Sequence, residues 1–92
     1  MDKKSTSSCI IIDDEPIALR VIGEYIEKID DFAVVGSFTN ALDALKILRN
    51  QKVDLIFLDI EMPGINGLDF LKSIPQPPKV IFTTAYRNYA AE

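Results

Sequence analysis

The sequence predicts an open α/β fold, a parallel sheet wound by helices, and three observations carry that expectation. Apolar, β-branched runs alternate with helix-periodic segments in the order strand, helix, strand, helix, strand, helix, strand. Alternation with short connections means parallel strands joined by right-handed crossovers. The first run, Cys9-Ile10-Ile11-Ile12, is continuously apolar, as in a strand covered on both faces. The 92 residues suffice for one small domain.

The elements follow in order. The first strand is stopped by Asp13-Asp14-Glu15-Pro16, where Pro16 suits the first turn of a helix because its missing N–H costs nothing there. From Pro16 to Ile29, Ala18, Ile22, Tyr25, Ile26 and Ile29 recur at helical intervals. Asp30-Asp31 breaks that helix, and a second strand runs from Phe32 to Phe38. Thr39-Asn40 can cap a second helix carrying Leu42, Leu45 and Leu48 and ending near Asn50. A third strand occupies Val53 to Leu58 and stops at Asp59. Met62-Pro63-Gly64 and Asn66-Gly67 are turn signals. Leu68, Leu71 and Ile74 suggest a short third helix, closed by Pro75, Pro77 and Pro78. Val80-Ile81-Phe82 is a fourth strand ending in Thr83-Thr84, and Asn88 to Glu92 opens a further helix.

Composition narrows the chemistry. Ten Lys and Arg against fourteen Asp and Glu give a net charge of −4, which argues against direct nucleic-acid or anionic-membrane binding. A single cysteine, Cys9, excludes an intramolecular disulfide, and its apolar setting suits a buried core thiol. The absence of histidine removes Ser-His and Cys-His catalysis and His-ligated zinc. No stretch is apolar for long enough to span a membrane, and the run that ends before Asp13 is too short for a signal peptide. Residues 1–8 are expected to be a flexible tail on a cytoplasmic protein.

In an open α/β sheet, ligands bind beyond the carboxyl ends of the strands. Asp13-Asp14, Asp59 and Thr83-Thr84 stand at three of those ends. If strands one and three are neighbours, three carboxylates converge. Two unit charges about 4 Å apart repel by about 4 kcal/mol at an effective dielectric of about 20. A hard divalent cation offsets that cost, and Mg²⁺ takes a few carboxylate oxygens while leaving positions for phosphate. Each residue also has a simpler role. Asp13 or Asp14 can cap the first helix, Asp59 can be a turn residue, and Thr84 can cap the last helix. Asn66 and Gly67 fit turn chemistry alone.

The segments Ile10-Ile11-Ile12-Asp13-Asp14-Glu15-Pro16, Leu55-Ile56-Phe57-Leu58-Asp59-Ile60-Glu61-Met62-Pro63-Gly64-Ile65-Asn66-Gly67 and Val80-Ile81-Phe82-Thr83-Thr84-Ala85 closely resemble the receiver domains of bacterial response regulators. The stretch from Thr84 to Ala90 is similar to the subgroup whose receiver precedes a LytTR-type DNA-binding domain. The resemblance covers residues 9–92 and implies a flavodoxin-like, doubly wound parallel sheet with strand order 2-1-3-4, the fifth strand lying outside this chain. It implies that Asp59 takes a phosphoryl group from a phosphohistidine on a sensor histidine kinase or phosphotransfer protein. It further implies that Asp13, Asp14, Asp59 and the Glu61 backbone carbonyl hold Mg²⁺, that Thr84 donates its hydroxyl to the phosphoryl group, and that Pro63 and Gly67 shape the adjoining loop. Thr83 is then a strand residue only. The implied output is a DNA-binding domain following this segment.

Receivers also carry a fifth strand ending in a lysine that pairs with the phosphoryl group, so the domain is expected to be incomplete at its C-terminus. Lys79 precedes the fourth strand and stands at the wrong end of the sheet to substitute. With the fourth strand as an edge, the expectation is either a homodimer through that edge or a longer parent chain. Two rivals differ in class. A haloacid-dehalogenase-like phosphatase wants an Asp two residues after its first, where this chain has Glu15. A receiver-like interaction module without phosphorylation would not need the intact set Asp13, Asp14, Asp59 and Thr84.

Overall fold

The computed structural model describes residues 6–62 and 65–83. In chain order its elements are β1 (Ser7–Ile12), α1 (Pro16–Glu27), β2 (Phe32–Phe38), α2 (Ala41–Asn50), β3 (Leu55–Asp59), β4 (Glu61–Met62), β5 (Ile65–Asn66), α3 (Gly67–Lys72) and β6 (Lys79–Thr83). Four strands form one parallel sheet in the order β2-β1-β3-β6. With β6 as the fourth long strand, this is the 2-1-3-4 order of a flavodoxin-like sheet.

The centre is β1, where Cys9, Ile10, Ile11 and Ile12 are all fully buried. Their side chains alternate between two cores. Ile10 and Ile12 meet Ala41, Ala44, Ile56, Leu58 and Phe70 beneath α2 and α3. Cys9 and Ile11 meet Ile26 and Leu55 beneath α1. Burial of an isoleucine contributes about 1.5–3 kcal/mol, so β1 is the principal apolar anchor of both layers. The Cys9 thiol lies 3.6 Å from the Ala33 carbonyl, and burial raises its pKa.

The helices start where local chemistry lets them. Pro16 opens α1 behind Glu15, which makes no side-chain cap hydrogen bond. Asn40 caps α2, its Oδ1 accepting from the Leu42 N–H at 2.7 Å. No helix among the described residues is long and apolar enough to cross a membrane.

Four details differ from the sequence reading. β1 starts at Ser7, ahead of the apolar run, because backbone and side-chain bonds recruit the serines. The Ser7 N–H donates to the Asp31 carbonyl at 2.9 Å, and the Ser8 N–H donates to Asp54 Oδ2 at 2.9 Å. The β1–β2 register shifts between Cys9 and Ile10, which pair with Val34 and Gly36 and leave Val35 as the extra residue of a bulge. The Met62 and Asn66 region forms a two-residue antiparallel hairpin, with Glu61 opposite Asn66 and Met62 opposite Ile65. In α3 the fully buried side chain is Phe70, whereas Leu68 is 53% exposed and Ile74 lies beyond the helix. The helix expected over 88–92 lies outside the described residues.

Candidate functional site

Asp13 directly follows β1 and Asp59 is the last residue of β3, so parallel pairing of the two strands sets them side by side at one sheet end. One carboxylate oxygen from each of Asp13, Asp14 and Asp59 lies within 4.8 Å of the others. Asp13 and Asp59 are only 7% and 5% exposed, and Asp14 is half-buried.

Local bonds fix this geometry. The Asp13 N–H donates to the Phe38 carbonyl at 3.0 Å, which ties the end of β1 to β2. Asp13 Oδ1 accepts from the Glu15 N–H at 2.9 Å and shapes the turn into α1. That bond precedes the first helical residue, so Asp13 orders the turn leading into α1. On the other side, Asp59 pairs in register with Thr83, and the Ile60 N–H donates to the Thr83 carbonyl at 3.3 Å. Asp59 is therefore held within a hydrogen-bonded ladder, which makes it more than a turn residue.

The electrostatics of this cluster are unfavourable without a counterion. At 4.8 Å each ionised pair repels by about 3.5 kcal/mol at an effective dielectric of about 20. The donors are all hard carboxylate oxygens, the preferred ligands of Mg²⁺. One carboxylate oxygen from each of three residues within 4.8 Å is a hard-oxygen set close enough to share one ion, so the donor set fits Mg²⁺.

The other expected site residues divide. Glu61 is in β4, two residues past Asp59, so its backbone adjoins the cluster in sequence. Thr84 and Pro63 lie outside the described residues, and Gly67 is the first residue of α3. Lys79 pairs with Leu55, four residues before Asp59, at the far end of β6. Sequence reasoning assigned Thr83 to the strand and gave it no part in the site. Its Oγ1 is buried without a hydrogen-bond partner. The sequence carries no signal for it, because the place of Thr83 opposite Asp59 is set by the strand register.

An open parallel sheet with an acidic cluster at its carboxyl edge is the architecture of a doubly wound, ligand-binding α/β domain. The chain matches the Response regulator receiver domain family over residues 9–92 and belongs to it. It is 38% identical over 87 residues to an uncharacterized response regulatory protein of Vibrio cholerae, covering 92% of this chain and 37% of that protein. It is 36% identical over 86 residues to the transcriptional regulatory protein YpdB of Escherichia coli K12, covering 90% of this chain and 35% of YpdB. The chain thus spans little more than a third of either curated relative. Among solved structures, it is similar to a chain in the crystal structure of the P1 domain of CheA3 in complex with CheY6 from R. sphaeroides. That match has a TM-score of 0.76 and 34% identity, and covers 88% of this chain and 65% of that one.

Proposed function

We propose that this receiver domain accepts a phosphoryl group on Asp59 from a phosphohistidine of a sensor histidine kinase or phosphotransfer protein. The observation that supports it most is the gathering of three carboxylates within 4.8 Å, with Asp59 at the end of β3. In the transfer, an Asp59 carboxylate oxygen forms a bond to phosphorus. The phosphorus–nitrogen bond to the donor imidazole breaks, and its electron pair leaves with the imidazole nitrogen. The chain is then a signalling phosphoacceptor that catalyses only its own phosphorylation and dephosphorylation.

A carboxylate is a weak nucleophile, so rate must come from positioning and charge compensation. Asp13, Asp14, Asp59 and the Glu61 carbonyl would hold Mg²⁺, which supplies positive charge against both the acidic cluster and the incoming phosphoryl oxygens. Asp13, anchored to Phe38 and Glu15, keeps its carboxylate aimed at the cluster. The β3–β6 ladder fixes the Asp59 backbone. We assign Thr84 as a hydroxyl donor to the phosphoryl group, coupling the modification to the surface that follows β6.

We further infer that the domain acts in the cytoplasm and governs a DNA-binding output domain, of LytTR type, following this segment. The name of the E. coli relative, a transcriptional regulatory protein, supports a transcriptional output. The R. sphaeroides complex, in which CheY6 is held by the P1 domain of CheA3, supports a partner protein as donor. Incubation with acetyl phosphate tests the reading. We expect one phosphoryl group on the wild type in Mg²⁺, with loss of incorporation in EDTA, in Asp14→Ala and in Asp59→Ala. Equal incorporation by wild type and Asp59→Ala would overturn it.

A further inference from the structure

Thr83 Oγ1 is, among the described residues, a buried hydroxyl with no hydrogen-bond partner. A buried hydroxyl left unmet carries a free-energy cost, and valine of the same shape would avoid it. Nothing about strand formation requires the oxygen, since valine is at least as good a strand residue. The hydroxyl's position gives it a use. Asp59 and Thr83 are register partners, and parallel register partners point to the same sheet face. On β3, Leu55 and Phe57 pack with the core beneath α1, while Ile56 and Leu58 belong to the opposite core. Alternation therefore puts Asp59 and Thr83 on the α1 face, and Asp13, two residues beyond Ile11, on the same face. The three form a row across β1, β3 and β6, with adjacent strands about 4.8 Å apart.

From this row we infer that the Thr83 hydroxyl is a positioning group for residue 59, unmet while Asp59 is unphosphorylated and donating to that side chain once it is phosphorylated. The inference rests on Asp59 being the acceptor. With acetyl phosphate as donor, an Asp59 oxygen bonds to phosphorus and acetate departs with the electron pair of the broken phosphorus–oxygen bond. The phosphorylated side chain carries about −1.5 to −2 charge and strong acceptor oxygens. The Thr83 hydroxyl, without a hydrogen-bond partner before, then has a phosphoryl oxygen to donate to. The unmet hydroxyl burdens the unmodified state and is relieved in the modified one, which tilts the balance toward the phosphorylated form.

The test uses the intact protein with Mg²⁺ and a fixed acetyl phosphate concentration, comparing wild type, Thr83→Val and Thr83→Ser. A hydrogen bond to a charged group is equivalent to a factor of about ten or more. The ratio of phosphorylated to unphosphorylated Thr83→Val is expected to fall about tenfold, while Thr83→Ser stays within about twofold of wild type. In the unmodified state, the unfolding midpoint of Thr83→Val should equal or exceed that of wild type. A wild-type ratio in Thr83→Val, or an equal fall in Thr83→Ser, overturns the inference and leaves the Asp59 reading intact. A Thr83→Val midpoint several degrees below wild type shows a hydroxyl already satisfied and also overturns it. No incorporation into wild type overturns both.

Discussion

Replacing Asp59 by asparagine should stabilise the unmodified domain when divalent cations are removed. The substitution keeps the side-chain shape and deletes one charge from a cluster whose carboxylate oxygens lie within 4.8 Å of each other. Each pair of Asp59 with the other two carboxylates of the cluster repels by about 3.5 kcal/mol at an effective dielectric of about 20, and by about 0.9 kcal/mol in bulk water. The pair with buried Asp13 belongs toward the first figure and the pair with half-buried Asp14 toward the second. Hydrogen bonds to an amide oxygen are weaker than to a carboxylate, by about 1–2 kcal/mol. The net expectation is a gain of about 2 kcal/mol for Asp59→Asn in EDTA. For a domain of this size that raises the thermal midpoint by roughly 8–16 °C. Urea unfolding followed by circular dichroism measures the free energy directly. Adding Mg²⁺ should narrow the gap, because binding to the folded state stabilises wild type more than the variant. An Asp59→Asn midpoint in EDTA at or below wild type would refute the electrostatic account of the cluster.

Three further outcomes follow from particular contacts. A Cβ on Gly36 would stand 2.8 Å from two carbons of the Phe38 ring, so Gly36→Ala should destabilise by about 1–3 kcal/mol and be relieved by Phe38→Leu in urea unfolding. Asp54 Oδ2 accepts from the Ser8 N–H and Oγ at 2.9 and 3.3 Å, at the sheet end opposite the acidic cluster. Asp54→Ala should cost about 1–3 kcal/mol of stability while Mg²⁺ affinity by calorimetry stays unchanged. Burial raises the Cys9 pKa above its ordinary 9.0. Above pH 9.0 the unfolded chain then loses a proton that the folded chain keeps, so this contribution to stability is full below that pH and declines as pH rises through the folded value. The decline should vanish in Cys9→Ala, measured as the slope of unfolding free energy against pH.

Much of this was legible in the residues because burial on both faces leaves an unmistakable pattern. Cys9 to Ile12 admits hardly any reading but a central strand, and Asp13 and Asp59 immediately after apolar runs mark strand ends. Parallel order then made their convergence a geometric consequence. The failures have physical causes. The hairpin of β4 and β5 has two residues per strand, too few for any period to show. Phe70 is buried in place of Leu68 because α3 has only six residues, and packing against β1 and β3 sets its orientation. Ser7 and Ser8 enter β1 through hydrogen bonds to Asp31 and Asp54, which hydropathy does not report. The unmet Thr83 hydroxyl needed the strand register, since an isolated Thr83-Thr84 pair says nothing of which side chain faces Asp59.

The central claim is that Asp59 is the acceptor, and locating the phosphoryl group on the chain tests it most directly. The protein is phosphorylated with acetyl phosphate and Mg²⁺, the acyl phosphate is trapped reductively, and the trapped residue is found by peptide mass mapping. The account predicts modification at Asp59 and at no other position, with none in Asp59→Ala. Modification at Asp13, Asp14 or any other residue of the wild type would contradict it.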